Sequence, residues 1–150
     1  MAYGAVGYIH GERDGKVETA FVAKSKVAPK KQLNVPRLEL CAVLVGARLM
    51  DFIEQTLKIP ISTSHLWSDS TTVLTWLASE TCRFKVFVGT RVTEINHKDM
   101  TWHYVPTKQN VANDIMRGSR RRPQVEIRTV LSNSGYRPLV SDAQTPRSTW

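Results

Sequence analysis

Residues 65–78, HLWSDSTTVLTWLA, place a short apolar segment directly before a helix start. His65 to Ser68 has the length and composition of a buried strand, and Asp69-Ser70 is typical of the residues that begin a helix. Open α/β sheets collect ligands where buried strands end and helices begin. This stretch therefore predicts an α/β fold and marks Asp69 as a candidate functional residue.

The segments on either side of this junction complete an α/β order. Tyr3 to His10 and Val17 to Val27 predict a hairpin, because Asp14-Gly15 lies between them. Pro36 to Lys58 carries apolar residues at three- and four-residue spacing and predicts a long helix. The further predicted elements are a helix from Thr71 to Ala78, a helix from about Arg83 to Asn96, a strand from Thr101 to Val105 and a short helix near Val111 to Arg117.

The chain has 150 residues, which is the size of one ordinary domain. We predict a domain over residues 2–118 and a basic, loosely structured tail over residues 119–150, in which Val125 to Leu131 can form a strand. Half of the net charge of +8 lies in this tail, where six arginines oppose two acids. The charge favours nucleic acid as a partner, with Arg120, Arg121 and Arg122 as candidate contacts, although it can also serve solubility alone.

Several classes of protein are disfavoured. No apolar run approaches the roughly 20 residues of a membrane helix, and the first residues do not resemble a secretory signal. Cys41 and Cys82 lack the spacing of a zinc site or a disulfide framework. We therefore expect an intracellular protein, cytoplasmic or nuclear, without a membrane partner. The aromatic residues Trp67, Trp76 and Trp102 are expected in the core rather than as stacking platforms.

Glu39 and Asp69 form a candidate pair of acids. If the long helix packs on the sheet, the Glu39 carboxylate can reach the end of the strand that contains Trp67. Two carboxylates that converge in a partly dry site attract a hard cation such as Mg²⁺ or Mn²⁺. Two simpler explanations stay open, because Asp69 can cap the following helix and Glu39 can stabilise the positive end of its own helix.

Six blocks of sequence occur in a distinctive order: AYGAV (2–6), AKSKVAP (23–29), PRLEL (36–40), LWSDST (66–71), RVTEI (91–95) and WHYVP (102–106). Together with a looser match over residues 110–118, they resemble the ribonuclease H-like region of BEL/Pao-type retrotransposon polyproteins. The resemblance implies a five-stranded mixed sheet with helices on both faces. It also implies four acids that bind two Mg²⁺ ions and hydrolyse RNA in RNA–DNA hybrids during reverse transcription.

The resemblance assigns Glu39 to the acid on the first long helix and Asp69 to the acid at the end of the fourth strand. The family's first acid lies on a strand before the AYGAV block, so we expect an N-terminally truncated domain that lacks its first, central strand. The strand edges left unpaired would then invite self-association. In the last block Asn113 stands at the acid's position, and Asp114 replaces it only if the loop shifts.

The sequence therefore predicts a ribonuclease H-like domain of retroelement descent that is catalytically impaired, because the parts of a metal site act as a unit. An RNA–DNA hybrid is the expected ligand, and the reverse transcriptase region of a full-length polyprotein is the expected neighbour. The alternatives are a non-catalytic nucleic-acid-binding module and a truncated retrotransposon fragment without an independent function.

Overall fold

The computed structural model describes residues 2–13, 15–29, 33–57, 61–80, 83–98, 100–110 and 124–131. The strands are β1 (Ala2–Arg13), β2 (Lys16–Val27), β3 (Ile61–Ser68), β4 (Thr101–Tyr104) and β5 (Gln124–Leu131). The helices are α1 (Val35–Leu57), α2 (Thr71–Ala78) and α3 (Val86–Asn96), and a 3₁₀ turn spans Thr107–Gln109. The five strands form one mixed sheet in the order β2-β1-β5-β3-β4, so the predicted α/β class is confirmed.

β1 and β2 form the predicted antiparallel hairpin, whose last pair joins Arg13 to Lys16. This pairing leaves a two-residue loop, in which Gly15 has a φ of 74°. Glycine adopts this left-handed conformation without steric cost, whereas other residues rarely do. Asp14, the other residue of the predicted turn, lies outside the described residues.

β5 occupies the centre of the sheet. It runs parallel to β1, starting at the pair Gly4–Gln124, and antiparallel to β3, where Ser68 pairs with Val125. The expectation of two unpaired inner edges is therefore wrong, because β5 hydrogen-bonds to both neighbouring strands and satisfies their backbone groups. The predicted strand from Val125 to Leu131 is confirmed, and the sheet uses residues on both sides of residue 118.

α1 packs against β1 and β5, with α2 and α3 beside it. Asn34 begins α1, since its side-chain Oδ1 accepts a hydrogen bond of 3.2 Å from the backbone N of Arg37. The middle of the helix, residues 40–47, is buried on all sides. Trp76 and Trp102 pack against this core, as predicted. The core residues from several elements include Ala5, Ile9, Leu40, Val43, Met50, Leu66, Val73, Val92 and Ile95.

The described helices gather on the α1 face of the sheet. The resemblance implies helices on both faces, but the helix predicted near residues 111–117 lies outside the described residues. Within the described ranges, no helix has the length and apolar character needed to cross a membrane.

Candidate active site

All five strands have an end at one edge of the sheet, which we call the Asp69 edge, and β2 ends there because Val27 pairs with Ala2. β3 and β4 are parallel neighbours, and both end there. β1 and β5 begin there, because Gly4 pairs with Gln124 and Val125 pairs with Ser68. Asp69 directly follows β3 and so lies at this edge, where ligands of α/β sheets collect.

α1 carries Glu39 to the same edge. The Oε2 atom of Glu39 accepts a hydrogen bond of 2.5 Å from the hydroxyl of Ser70. Such a short distance is typical of an O–H group that donates to a carboxylate. Because Ser70 is the chain neighbour of Asp69, the structure brings the two predicted acids to one end of the sheet. Their roles in metal binding stay predictions.

Ser70 holds the junction between β3 and α2 together. It is only 4% exposed, and its hydroxyl also accepts a hydrogen bond of 3.2 Å from the backbone N of Val73. Its own backbone N donates to the Oγ atom of Ser68 at 3.2 Å. Ser70 is therefore the N-cap of α2, and the explanation that Asp69 serves as this cap is wrong.

The alternative explanation for Glu39 also loses its basis. The first turn of α1 contains no acidic residue, so Glu39 lies beyond the turn in which a helix dipole acts most strongly. Its carboxylate instead accepts the hydrogen bond from Ser70. Sequence reasoning missed the part that Ser70 plays, because Asp and Ser are equally good N-caps and stand side by side here.

The described donors at the Asp69 edge fit one hard divalent cation. Mg²⁺ is commonly bound by one or two carboxylates, with water or substrate phosphate completing its shell. Glu39 and Asp69 can supply those carboxylates. Within the part of the chain that the structure describes, no group of three or more His, Cys, Asp or Glu side chains could hold a metal ion. The described residues thus do not supply the four acids that the resemblance implies.

The other predicted site residues are Asn113, Asp114, Arg120, Arg121 and Arg122, and all of them lie outside the described residues. The chain that leads toward residue 113 does leave from the Asp69 edge. The backbone N of Val105 donates to the carbonyl oxygen of Ser68 at 3.1 Å, which extends the pairing beyond β4. Asn110, which is 2% exposed, ends this described segment.

A second polar cluster lies on the sheet face opposite α1, and sequence reasoning did not predict it. The Nδ1 atom of His65 and the Nε2 atom of His103 are 3.0 Å apart, and Trp67 stacks on His103 at 5.2 Å between ring centroids. Trp67 is half-buried here rather than placed in the core cluster. Burial, and then the charge of His65, lower the pKa of His103. Only the register of β3 with β4 brings these distant residues together.

Comparison with protein families finds a similarity for the first part of the chain. Residues 1–70 match the model of the Pao retrotransposon-like RNaseH-like domain. This range spans β1, β2, α1 and β3, and it contains both Glu39 and Asp69. Comparison with curated proteins and with solved structures found no match. Residues 1–70, which build the hairpin, the long helix and the acid-bearing junction, are therefore similar to the Pao retrotransposon-like RNaseH-like domain.

Proposed function

We propose that this chain is a ribonuclease H-like module of retroelement descent that binds RNA–DNA hybrids at the Asp69 edge and hydrolyses them slowly or not at all. One observation carries the proposal. The hydrogen bond of 2.5 Å from Ser70 fixes the Glu39 carboxylate beside the chain neighbour of Asp69. The family match over residues 1–70 supports an ancestral ribonuclease H-like function and an interaction with nucleic acid.

Glu39 and Asp69 would hold one Mg²⁺ or Mn²⁺ ion, which would supply positive charge to a phosphate oxygen of the bound strand. Ser70 orients the Glu39 carboxylate by donating to Oε2, which leaves Oε1 for other partners. Ser68 in turn fixes the backbone of Ser70. Hydrolysis is expected to be slow because Asn113 stands where the family has its last acid, and the loss of one oriented ligand removes most of the rate.

The test measures binding of an RNA–DNA hybrid by fluorescence anisotropy, with and without Mg²⁺. We expect Mg²⁺ to strengthen binding several-fold, and we expect Asp69→Asn and Glu39→Gln to abolish that gain. Glu54→Gln is the matched control, because Glu54 is an exposed residue on the same helix and the change in charge is equal. An equal Mg²⁺ response in Asp69→Asn and Glu54→Gln would contradict the proposed site.

Cleavage of the same hybrid is followed by gel electrophoresis in the presence of Mg²⁺. We expect no robust cleavage by the unmodified chain. Robust cleavage that Asp69→Asn abolishes would show an intact nuclease and would overturn the proposed impairment, while leaving the location of the site unchanged.

A non-catalytic module that binds nucleic acid through Arg120, Arg121 and Arg122 is the second candidate, and the net charge of +8 favours it. Such binding would weaken steeply with salt, would not be strengthened by Mg²⁺ and would be insensitive to Asp69→Asn. A truncated fragment without function, the third candidate, would unfold without a cooperative transition. For the first two candidates we propose an intracellular setting, cytoplasmic or nuclear, and a neighbouring reverse transcriptase region.

A further inference from the structure

A cavity of about 250 Å³ lies between α1, α3 and one end of the β1–β2 hairpin. Tyr3 and Lys26, which are paired on the two strands, line it from the sheet. Arg48 lines it from α1, and Arg91 and Glu94 line it from α3. Three cationic side chains therefore surround this cavity, together with one acid.

Glu94 cannot balance all three cations. Arg48 binds it through two hydrogen bonds, from Nε to Oε1 at 2.7 Å and from Nη2 to Oε2 at 2.9 Å. The structure shows no ion pair for Lys26 or Arg91 among the residues that it describes. The cavity lining thus carries about two positive charges in excess of its negative charge.

Arg91 is held in place although it forms no ion pair with an acid of the described residues. Its guanidinium lies 3.7 Å from the centroid of the Phe87 ring, and its Nη1 atom donates to the Phe87 carbonyl oxygen at 3.0 Å. Its Nε atom is buried, and in the described structure it has no hydrogen-bond partner. A buried donor without a partner is costly, so a ligand that brings an acceptor oxygen to this N–H group would be favoured.

Tyr3 adds a neutral donor to the same lining. Burial raises the pKa of Tyr3 above its usual value of 10.0, although Arg91 and Arg48 act in the opposite direction. Its hydroxyl is therefore protonated near neutral pH and can donate a hydrogen bond. The lining combines two uncompensated cations with this O–H group.

We propose that this cavity binds a phosphate monoester as its dianion. Above a pH of about 6 such a group carries a charge close to −2, which matches the excess charge of Lys26 and Arg91. A carboxylate or a phosphodiester carries a single negative charge and would balance only one of them. Guanidinium groups also match the geometry of phosphate oxygens. The site shares no residue with the Glu39–Asp69 pair and stands apart from the proposed nuclease function.

The first test is calorimetric titration of the full chain with inorganic phosphate near neutral pH. We expect saturable binding that Lys26→Gln weakens about tenfold or more, since the bond lost is to a charged group. Lys26 is exposed on an edge strand, so this change leaves the fold intact. Arg83→Gln removes the same charge outside the cavity and should bind like the unmodified chain. No saturable binding, or equal binding by Lys26→Gln and Arg83→Gln, would overturn the proposal.

A second pair of variants tests the charge argument by a gain of affinity. Glu94→Gln releases Arg48 and should strengthen phosphate binding several-fold. Glu54→Gln makes the same change in net charge outside the cavity and should have a much smaller effect, so equal effects would contradict a local site. Because the dianion is the proposed ligand, affinity for a phosphate monoester should also fall as the pH drops through about 6.

The source of the phosphate is identified by three further ligands. An oligonucleotide with a 5′-phosphate should bind the cavity better than the same oligonucleotide without it, and equal affinity would overturn the assignment to a monoester. These affinities are measured with the Asp69→Asn variant, so that binding at the proposed nuclease site does not contribute to them. Tighter binding of a mononucleotide would identify a free nucleotide as the ligand, and tighter binding of the phosphorylated oligonucleotide would identify a nucleic-acid end.

Discussion

Replacement of Ser70 by alanine tests the hydrogen bonds that join the candidate site to the fold. The change removes two interactions at a residue that is 4% exposed, namely the N-cap bond to Val73 and the bond to Glu39. Loss of an N-cap costs about 1 kcal/mol, and loss of a hydrogen bond to a charged group costs about 1.5–3 kcal/mol. Since Glu39 is only half-buried, we take the lower end and expect a loss of about 2.5 kcal/mol.

Urea unfolding of Ser70→Ala, Ser70→Gly and Thr72→Ala separates the two contributions. Glycine keeps most of the N-cap preference, so Ser70→Gly should retain roughly 1 kcal/mol more stability than Ser70→Ala. Thr72→Ala changes an exposed residue in the first turn of the same helix and should stay within about 0.5 kcal/mol of the unmodified chain. If Ser70→Ala were as stable as Thr72→Ala, the coupling between Glu39 and the β3–α2 junction would be refuted.

Three further sets of changes test other parts of the structure. Because burial and a neighbouring histidine lower the pKa of His103, the unfolded state binds this proton more readily, and the free energy of unfolding should fall as pH drops below about 6.5. Urea titrations at several pH values should show a smaller fall for His103→Asn but not for the exposed control His97→Asn. Gly4→Ala should destabilise the chain by about 1–3 kcal/mol, because its Cβ would lie 2.6 Å from a backbone oxygen of β2. In the same assay Gly89→Ala should stabilise the chain by about 0.5–1 kcal/mol, because Gly89 lies inside α3 and its Cβ would meet no atom closer than 3.6 Å. Removal of residues 124–131 should expose two inner strand edges and cause self-association in size-exclusion chromatography, and a chain without them that stays monomeric would contradict the central position of β5.

Local sequence patterns predict those helices and strands in which apolar residues recur at one regular spacing. The long helix was expected from Pro36 to Lys58 and runs from Val35 to Leu57, because its apolar stripe is continuous and Asn34 supplies a cap. β3 begins at Ile61 rather than at His65. Ile61 is followed by three polar residues, 62–64, which do not alternate in hydropathy, and pairing with β5 makes this segment a strand.

Local sequence patterns do not predict interactions between segments that are distant in the chain. The hydrogen bond from Ser70 to Glu39 could not be predicted from sequence. Asp69 and Ser70 are equally preferred at the start of α2, so the sequence does not show which of them caps the helix. The contact between His65 and His103 depends on the register of two strands that are far apart in the chain. The position of β5 likewise depends on which strand edges are open, and this is a property of the assembled sheet.

β5 completes the hydrogen bonding of the sheet without completing the set of acids in the candidate site, and the reason is its direction. A strand joined to the start of β1 by a short turn would run antiparallel to β1 and would end at the Asp69 edge. β5 runs parallel to β1, so it begins at that edge, and it brings Gln124 and Val125 there. Neither residue is an acid. Backbone pairing can be supplied by a strand of either direction, whereas a metal ligand requires a carboxylate at one position. A cooperative, stable sheet is therefore compatible with a site that hydrolyses RNA poorly.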